Sequence, residues 1–370
     1  MPISLFGKDT YVGIDIGSHT IKAAQVEQKS GIWRVTRAQY TNTPTETVVD
    51  GVVVDPETVG NAIRKLMSSG RFNATAANVA VAGASVIVRS VRLPKMNEAT
   101  VRKSIKFEAG RYVPTSVEDS YIEFEILGPS TVEGQMEVLI VAAPRDVVES
   151  RVKACAMAGL DTEVVDVEAF ALYRALVESV GKAQAADTTI ALVDIGGSNT
   201  HVSVAANGLF ALTRSIPIAG DTFTQALKSY LKCTDEEAEK IKRELDFTPL
   251  AQSKAGPMEN PPLRLLQPIV DELLREIRRS LNYYQSQLPE GVSASPVSSV
   301  LATGGTMHMK GLAEYLAYRL SIPVTRADVF TVPSFDPSAV GELLNDGSGM
   351  RFCVAVGLAM RRSASVAVAA

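Results

Sequence analysis

The chain carries one strand-and-turn pattern twice, and this repetition constrains its fold more than any other feature. Residues 11–26 read YVGIDIGSHTIKAAQV, and residues 189–204 read TIALVDIGGSNTHVSV. In both segments an apolar run ends in Asp-Ile-Gly, and a second alternating run follows a polar turn. Asp15 and Asp194 lie about half the chain apart, which is the spacing that a duplicated domain would give.

Alternation of apolar and polar residues predicts three strands in each copy, joined by short turns. The predicted strands are 11–16, 20–27 and 32–40 in the first copy, and 189–195, 200–206 and 209–216 in the second. We therefore expect both halves of the molecule to share one strand topology.

Aspartate followed by glycine at the end of an apolar strand suits a site for phosphate groups. Glycine N–H groups can approach phosphate oxygens closely, and a carboxylate can orient water or a magnesium ion beside them. For either copy alone, a plain turn is the alternative, because both residues are common in turns. Two matched copies favour the phosphate interpretation, with Asp15 and Asp194 at the mouth of a cleft between two halves.

Composition excludes several classes of function. The chain has 37 Lys plus Arg against 41 Asp plus Glu, so no general attraction to nucleic acid is expected. A Walker A pattern is absent and no G-x-G-x-x-G follows the first strand, which argues against P-loop and Rossmann enzymes. Cys155, Cys233 and Cys353 lie far apart in the sequence and do not have the spacing of cysteines that bind a metal ion. No segment has the length of apolar sequence needed to span a bilayer, and we expect a cytoplasmic protein.

Three segments resemble the actin/Hsp70/sugar-kinase ATPase superfamily. They are DIGSHTIK from Asp15, DIGGSNTHV from Asp194, and the strand, Gly-Gly turn and helix of SSVLATGGTMHMKGLAEYLAYRL at 298–320. The resemblance implies an α/β, actin-like (RNase H-like) duplicated ATPase fold with two lobes around a nucleotide cleft. It also implies ATP and Mg²⁺ as ligands.

The resemblance assigns site residues by position. Those implied to bind the ATP phosphates are Asp15, Gly17, Ser18, His19, Thr20, Lys22, Asp194, Gly196, Gly197, Ser198, Asn199 and Thr200. Those implied to bind adenosine are Gly220, Glu239, Lys242, Gly304, Gly305, Thr306 and Met307. Asp15 and Asp194 would hold Mg²⁺ through water. Glu168, at a strand end, is the proposed water-activating residue.

One of these assignments has a simpler alternative. Glu239 and Lys242 are three positions apart on a predicted helix and so share a face. A solvated, charged helix would show the same pattern.

An insertion between the two phosphate loops indicates which branch of the superfamily the chain resembles. We predict a strand at 78–94, a helix at 97–114, strands at 119–128 and 135–144, and a helix at 145–160. This order resembles the extra subdomain of the FtsA branch. The implied division is 1–85, 161–187 and 345–370 as subdomain 1A, 86–160 as 1C, 188–227 and 296–344 as 2A, and 228–295 as 2B.

Within that branch the resemblance is to the PilM family, over essentially the whole chain. It is carried by FGKDTYVGIDIGSHTIKAAQV, LPKMNEATVRKSIKFEAGRYVPTSVEDSYIEFEIL and RFCVAVGLAMR, among other segments. The resemblance implies a cytoplasmic component of type IV pilus assembly, peripheral to the inner membrane through its partners. Its main implied partner is the N-terminal cytoplasmic tail of PilN, held in a groove between subdomains 1A and 1C.

The resemblance leaves several properties open. PilO, PilC and the pilus motor ATPases are further candidate partners, and a homo-oligomer or filament is a further candidate assembly. ATP hydrolysis requires a residue that positions the attacking water, and Glu168 is the site residue that the sequence supports least. We therefore expect turnover of ATP to be slow at most. An FtsA-like division protein and a small-molecule kinase are the alternative functions.

Two segments outside the nucleotide site bear on partners. The stretch 89–111 carries the basic residues Arg89, Arg92, Lys95, Arg102, Lys103, Lys106 and Arg111, which could meet acidic partner residues or anionic lipid headgroups or simply be solvated. The Pro-rich stretch 246–268 predicts an exposed loop, with a partner-recognition segment as the alternative. Apolar spacing predicts a helix over 269–288.

Overall fold

The protein is described by a computed structural model that covers residues 11–113, 116–130, 132–181, 188–251, 260–287, 296–343 and 347–361. The chain forms two compact units. The first unit takes in the described residues up to Val81, Asp146–Val180 and those from Ala327 onward. The second unit consists of Ala82–Arg145 and Gly181–Arg326.

The strands, in chain order, are β1 (Tyr11–Ile16), β2 (Thr20–Lys29), β3 (Ile32–Asn42), β4 (Val48–Val49), β5 (Val52–Val53), β6 (Ala76–Val81), β7 (Ile87–Pro94), β8 (Ser120–Pro129), β9 (Gln135–Pro144), β10 (Asp161–Val167), β11 (Thr189–Ile195), β12 (Thr200–Ala206), β13 (Leu209–Ile216), β14 (Ser299–Thr303), β15 (Val324–Arg326) and β16 (Phe335–Asp336).

The helices are α1 (Pro56–Ser69), α2 (Glu98–Ala109), α3 (Arg145–Ala158), α4 (Glu168–Leu176), α5 (Gly220–Leu231), α6 (Asp235–Glu244), α7 (Pro261–Ser286), α8 (Leu312–Leu320) and α9 (Gly349–Ala359). Short 3-10 turns occur at Glu178–Val180, Thr248–Ala251, Gly305–His308, Val329–Thr331 and Ser338–Leu343.

The sheets of the two units repeat one topology. In the first unit the order is β10-β6-β1-β2-β3-β16, and in the second it is β13-β12-β11-β14-β15. In both sheets the first strand of the copy pairs antiparallel with the second and parallel with a later strand, β6 or β14. The duplicated three-strand pattern predicted from the sequence is therefore confirmed.

Helices cover both faces of the sheet in the first unit. On one face Val12 and Ile14 of β1 pack with Ile63 of α1 and with Cys155 of α3. On the other face Ala80 of β6 packs with residues of α4 and α9. The side chain of Asp55 accepts a hydrogen bond from the Thr58 N–H at 3.0 Å and caps the start of α1, which fixes where that helix begins.

The inserted segment of the second unit is a three-stranded sheet in the order β7-β9-β8, packed on α2. Its core consists of alternate strand residues, such as Val138 and Ile140, and the buried side of α2, including Val101 and Ile105. The prediction of a single strand at 78–94 is wrong. The segment forms two strands, β6 and β7, separated by a turn at Gly83, whose φ is 110°. The predicted helix 97–114 ends earlier, at Ala109.

The second correction concerns the segment predicted as a loop over 246–268. Residues 252–259 lie outside the described residues, but the chain is already helical from Pro261 onward, in α7. Proline tolerates the first turn of a helix, where its missing N–H is not needed, so the proline pair that suggested a loop starts a helix. The apolar stripe predicted farther along is buried at Leu273, Leu274 and Ile277.

The four-subdomain division stays a prediction. The described residues of α3 belong almost entirely to the first unit, with Ala154 and Cys155 in its core. No helix in the described part of the chain combines the length and the apolar character needed to cross a membrane.

Candidate functional site

The two Asp-Ile-Gly turns have the same backbone geometry. The N–H of Gly17 donates to the carbonyl of Thr20 at 3.1 Å, and the N–H of Gly196 donates to the carbonyl of Asn199 at 3.1 Å. The strand register also matches, since Asp15 pairs with Lys22 and Asp194 with His201. The sequence repeat is therefore a structural repeat down to individual hydrogen bonds.

In the first unit, Asp15 is held at the end of β1 by a lysine from the returning strand. The Nζ atom of Lys22 lies 3.0 Å from Oδ2 of Asp15, and both side chains are largely buried. The hydroxyl of Thr43 donates to the Gly17 carbonyl at 2.7 Å, and the Thr43 N–H donates to the His19 carbonyl at 2.9 Å. These contacts fix the loop, in which the His19 side chain is exposed and Ser18 and Thr20 are half-buried.

Arg151 of α3 is a residue of this region that the sequence analysis missed. It is 2% exposed, and its Nη1 donates to the carbonyls of Val147 and Gly51. Burial lowers the pKa of its guanidinium, while the carboxylates of Glu168 and Asp15 oppose that shift. The charges of Glu168, the first residue of α4, and of Asp15 therefore both act on this buried cation, while the ion-pair partner of Asp15 is Lys22.

The sequence does contain one indication that Arg151 is buried, because it lies on the apolar side of a helix. It falls at helical spacing between Val147 and the pair Ala154 and Cys155, all of them buried. An arginine on such a stripe must find partners inside the protein. Which partners it finds depends on loops distant in sequence, and spacing alone cannot give them.

The second unit brings the second loop, the start of α5 and the Gly-Gly turn together into what we call the second-unit site. The carbonyl of Gly196 accepts a hydrogen bond from the Thr306 hydroxyl at 2.7 Å and another from the Gly220 N–H at 3.2 Å. The carbonyl of Gly197 accepts one from the Asp221 N–H at 2.8 Å. Ser198 donates to Oδ2 of Asp221 at 2.8 Å.

At Gly304 the backbone of the Gly-Gly turn packs directly against the second phosphate loop. The φ of Gly304 is 94°, a conformation that favours glycine. A Cβ built there would collide with Oδ1 of Asp194 and with the carbonyl of Ile195. A Cβ at Gly305 would meet no atom within 4 Å. The Gly-Gly pair therefore has one glycine packed against the phosphate loop and one that is exposed.

Glu239 and Lys242 of α6 are part of the same site. The Nζ atom of Lys242 lies 2.5 Å from Oε2 of Glu239 and 2.9 Å from the Thr224 hydroxyl, and it donates to the Gly220 carbonyl at 3.2 Å. Burial would raise the pKa of Glu239, but the hydrogen bond from Lys242 and further bonds outweigh it and lower that pKa. The alternative of a merely solvated pair is wrong for Lys242, which is 6% exposed.

Two predicted site residues have their side chains turned into the protein. Thr200 is fully buried, and its hydroxyl donates to the Ile218 carbonyl at 2.7 Å. Met307 is also fully buried, within the 3-10 turn that follows Gly304. That turn replaces the predicted direct entry into a helix, since α8 begins only at Leu312.

The donor set suits a nucleotide and a hydrated cation. Exposed or half-buried backbone at Gly197 and Gly305 can approach phosphate and nucleoside groups. Within the described residues no cluster of three or more His, Cys, Asp or Glu side chains could cage a metal ion. Single carboxylates such as Asp15 and Asp194 fit a magnesium ion that keeps most of its waters and binds phosphate oxygens.

Comparison with known proteins decides the family. The family model of the type IV pilus assembly protein PilM matches residues 13–363. The chain belongs to the PilM family. This PilM family member is also similar to cell division protein FtsA of Pseudomonas aeruginosa, with 24% identity over 381 aligned positions, 92% of this chain and 88% of that protein. FtsA of Bacillus subtilis is 23% identical over 261 positions, 64% of this chain and 58% of that protein.

Solved structures establish the fold of this PilM family member. A structure described as the PilM-PilN type IV pilus biogenesis complex matches with a TM-score of 0.81 and 24% identity, over 95% of this chain and 98% of that chain. The ethanolamine utilization protein EutJ of Carboxydothermus hydrogenoformans matches with a TM-score of 0.55 and 19% identity, over 96% and 90%. The fold is the actin-like duplicated α/β fold, as the sequence predicted.

Proposed function

We propose that this protein is an ATP-binding component of type IV pilus assembly that holds the N-terminal cytoplasmic tail of a PilN-type protein. Membership of the PilM family supports the pilus role. In this proposal ATP is a conformational ligand, whose binding changes the affinity for the tail. The protein would lie at the inner membrane through that partner.

The observation that carries ATP binding is the mutual packing of the second loop, Gly220 and the Gly304-Gly305 turn. These segments are far apart in sequence, yet the Gly196 carbonyl bonds both Thr306 and Gly220. An actin-like relative, MreB5 of Spiroplasma citri, has been solved bound to AMPPNP and matches with a TM-score of 0.50 and 12% identity, over 91% of this chain and 96% of that chain. We propose the Asp15–Lys22 loop as the second phosphate-binding element.

The proposal of a PilN-type tail rests on the structure described as a PilM-PilN complex, in which the match covers 98% of the compared chain. The FtsA relatives favour a division role less, because the family model that matches residues 13–363 is that of the pilus assembly protein PilM. Further partners such as PilO, PilC and the motor ATPases stay proposals of lower rank.

Calorimetric titration tests the proposal. The full chain is titrated with Mg-ATP, and then with a synthetic peptide of the PilN-type cytoplasmic tail, in the presence and absence of Mg-ATP. We expect ATP binding, saturable peptide binding, and a shift in peptide affinity when ATP is present. A scrambled peptide is the control.

Each part of the proposal can fail separately. Equal peptide affinity with and without bound ATP would refute the conformational role of ATP. A folded, ATP-bound protein that does not bind the tail would refute the pilus adaptor role and favour an FtsA-like function. Phosphate release measured in the same samples would show whether ATP is turned over.

A further inference from the structure

One side of α2 combines positive charge with an exposed aromatic ring. At 3.6 residues per turn, Lys103, Lys106 and Phe107 share the side of the helix opposite its buried residues. Arg102 lies on the flank of that side, and Arg111 follows just after the last helical residue, Ala109. We call these five residues the α2 basic face. All five are exposed, and the opposite side of the helix packs through Val101, Ile105 and Ala109 on the inserted sheet.

The acidic residues of α2 lie at its flanks and are paired there. Glu98 bonds Arg102 at 3.0 Å, and Glu108 bonds Arg111 at 2.9 Å. Neither Lys103 nor Lys106 makes an ion pair within the described part of the chain. The lysines at the centre of the α2 basic face are therefore available to an external anion.

Phe107 distinguishes this face from an ordinary solvated helix. Its side chain is 73% exposed, against 58% for Leu209 and 55% for Tyr230 elsewhere in the second unit. The guanidinium of Arg111 lies 5.4 Å from the centre of its ring, so one basic group covers part of the ring, and Phe107 is not among the residues of the core beneath α2. Aromatic rings among basic residues suit the headgroup level of a bilayer.

We propose that the α2 basic face binds anionic lipid headgroups directly, with Phe107 entering the boundary between headgroups and acyl chains. The whole chain carries a net charge of −4, so binding to an anionic surface requires a local cluster of cations. This contact goes beyond the proposed function, in which a partner provides the attachment to the membrane.

Vesicle sedimentation with the full chain tests the proposal without any PilN-type peptide, so its outcome is independent of the adaptor role. Vesicles of equal parts phosphatidylglycerol and phosphatidylcholine should bind the protein, and vesicles of phosphatidylcholine alone should not. The variant K103E/K106E should bind about tenfold or more weakly, since each lysine near an anionic surface contributes several-fold. The control K65E/K240E changes two exposed lysines outside this face and has the same net charge.

A fluorescence measurement tests Phe107 itself. The chain has one tryptophan, Trp33, and Phe107→Trp adds a reporter on the α2 basic face. We expect its emission to shift to the blue with anionic vesicles and to be quenched by brominated lipids. Tyr230→Trp, at a position that is 55% exposed in the wild type, should show neither change.

The proposal would be overturned by the absence of binding to anionic vesicles, by equal loss of binding in K65E/K240E, or by a Phe107→Trp emission that lipids do not alter. Retention on polyglutamate resin but not on vesicles would also overturn it, in favour of an acidic protein partner.

Discussion

The Nζ atom of Lys242 lies 2.5 Å from the Oε2 atom of Glu239, and both side chains bond the hydroxyl of Thr224. This ion pair therefore joins α6 to α5, and the further bond from Lys242 to the Gly220 carbonyl ties it to the second-unit site. The pair has a structural role in addition to the contact with adenosine that the family resemblance implies.

Replacing Lys242 tests that structural role. Lys242→Met leaves the Gly220 carbonyl and Glu239 without their donor, and we expect a loss of about 1–3 kcal/mol in unfolding free energy. Urea unfolding measures the loss. Lys240→Met, at an exposed position of the same helix, should change stability by no more than about 0.5 kcal/mol. Equal losses in the two variants would show that the buried hydrogen bonds contribute nothing.

Gly304 and Gly305 form a matched pair of sites for one substitution. Gly304→Ala forces a Cβ against Asp194 and Ile195 at a positive φ and should cost about 1–3 kcal/mol. Gly305→Ala meets no atom within 4 Å and should change stability little. Thermal unfolding of both variants, with and without Mg-ATP, measures the cost and any loss of stabilisation by the nucleotide. If Gly304→Ala were as stable as wild type, the close packing described at this turn would be incorrect.

Arg151 should be coupled to Asp15. Arg151→Met leaves the carbonyls of Val147 and Gly51 without their donor and removes a buried cation near Glu168 and Asp15, and it should destabilise the protein by about 1–3 kcal/mol. The exposed Lys153 of the same helix provides the control variant Lys153→Met. In a double-mutant cycle with Asp15→Asn, the cost of losing Arg151 should fall. Additive effects would mean that Arg151 and Asp15 do not interact.

The stability of the protein should depend on pH through the carboxyl group of Asp246. Hydrogen bonds from Lys310 and Thr248 lower the pKa of its carboxyl from 3.8 to about 2. The folded state therefore holds this proton less tightly than the unfolded state, so the stabilisation is present above pH 3.8 and is lost as pH falls towards about 2. The difference in Tm between wild type and Asp246→Asn should shrink as the pH is lowered from about 5 to about 3. A difference that stays constant over this range would contradict the assignment.

The three cysteines should differ in reactivity. Burial raises the pKa of the Cys155 thiol to about 11, and Cys353 is also buried, whereas Cys233 is partly exposed. A thiol reagent at neutral pH should therefore modify Cys233 first in the folded protein, because the reactive form is an accessible thiolate. Mass spectrometry of the labelled protein identifies the site, and Cys155 and Cys353 should react only after unfolding. Labelling of Cys155 in the native state would contradict its burial.

Local features were predictable from the sequence, and tertiary neighbours were not. The strands of both copies could be predicted because side-chain alternation and turn residues are local signals, as at Gly17 and Gly196. The end of β6 near Gly83 was missed because apolar residues continue on both sides of it, and the start of α7 was missed because its first two residues are prolines. The environment of Arg151 could not be predicted, since its partners come from three distant segments.

The packing of α9 on the first unit bears on how the chain reaches its folded state during synthesis. Asn78 of β6 donates its side-chain amide to the carbonyl of Leu358, 280 residues later in the chain, and Gly13 of β1 lies directly against Ala355. The ribosome must therefore complete the second unit before the first unit can bury this face of its sheet. Contacts so distant in sequence slow folding and leave apolar strands exposed meanwhile, so nascent chains of this protein should depend on chaperones until α9 has emerged.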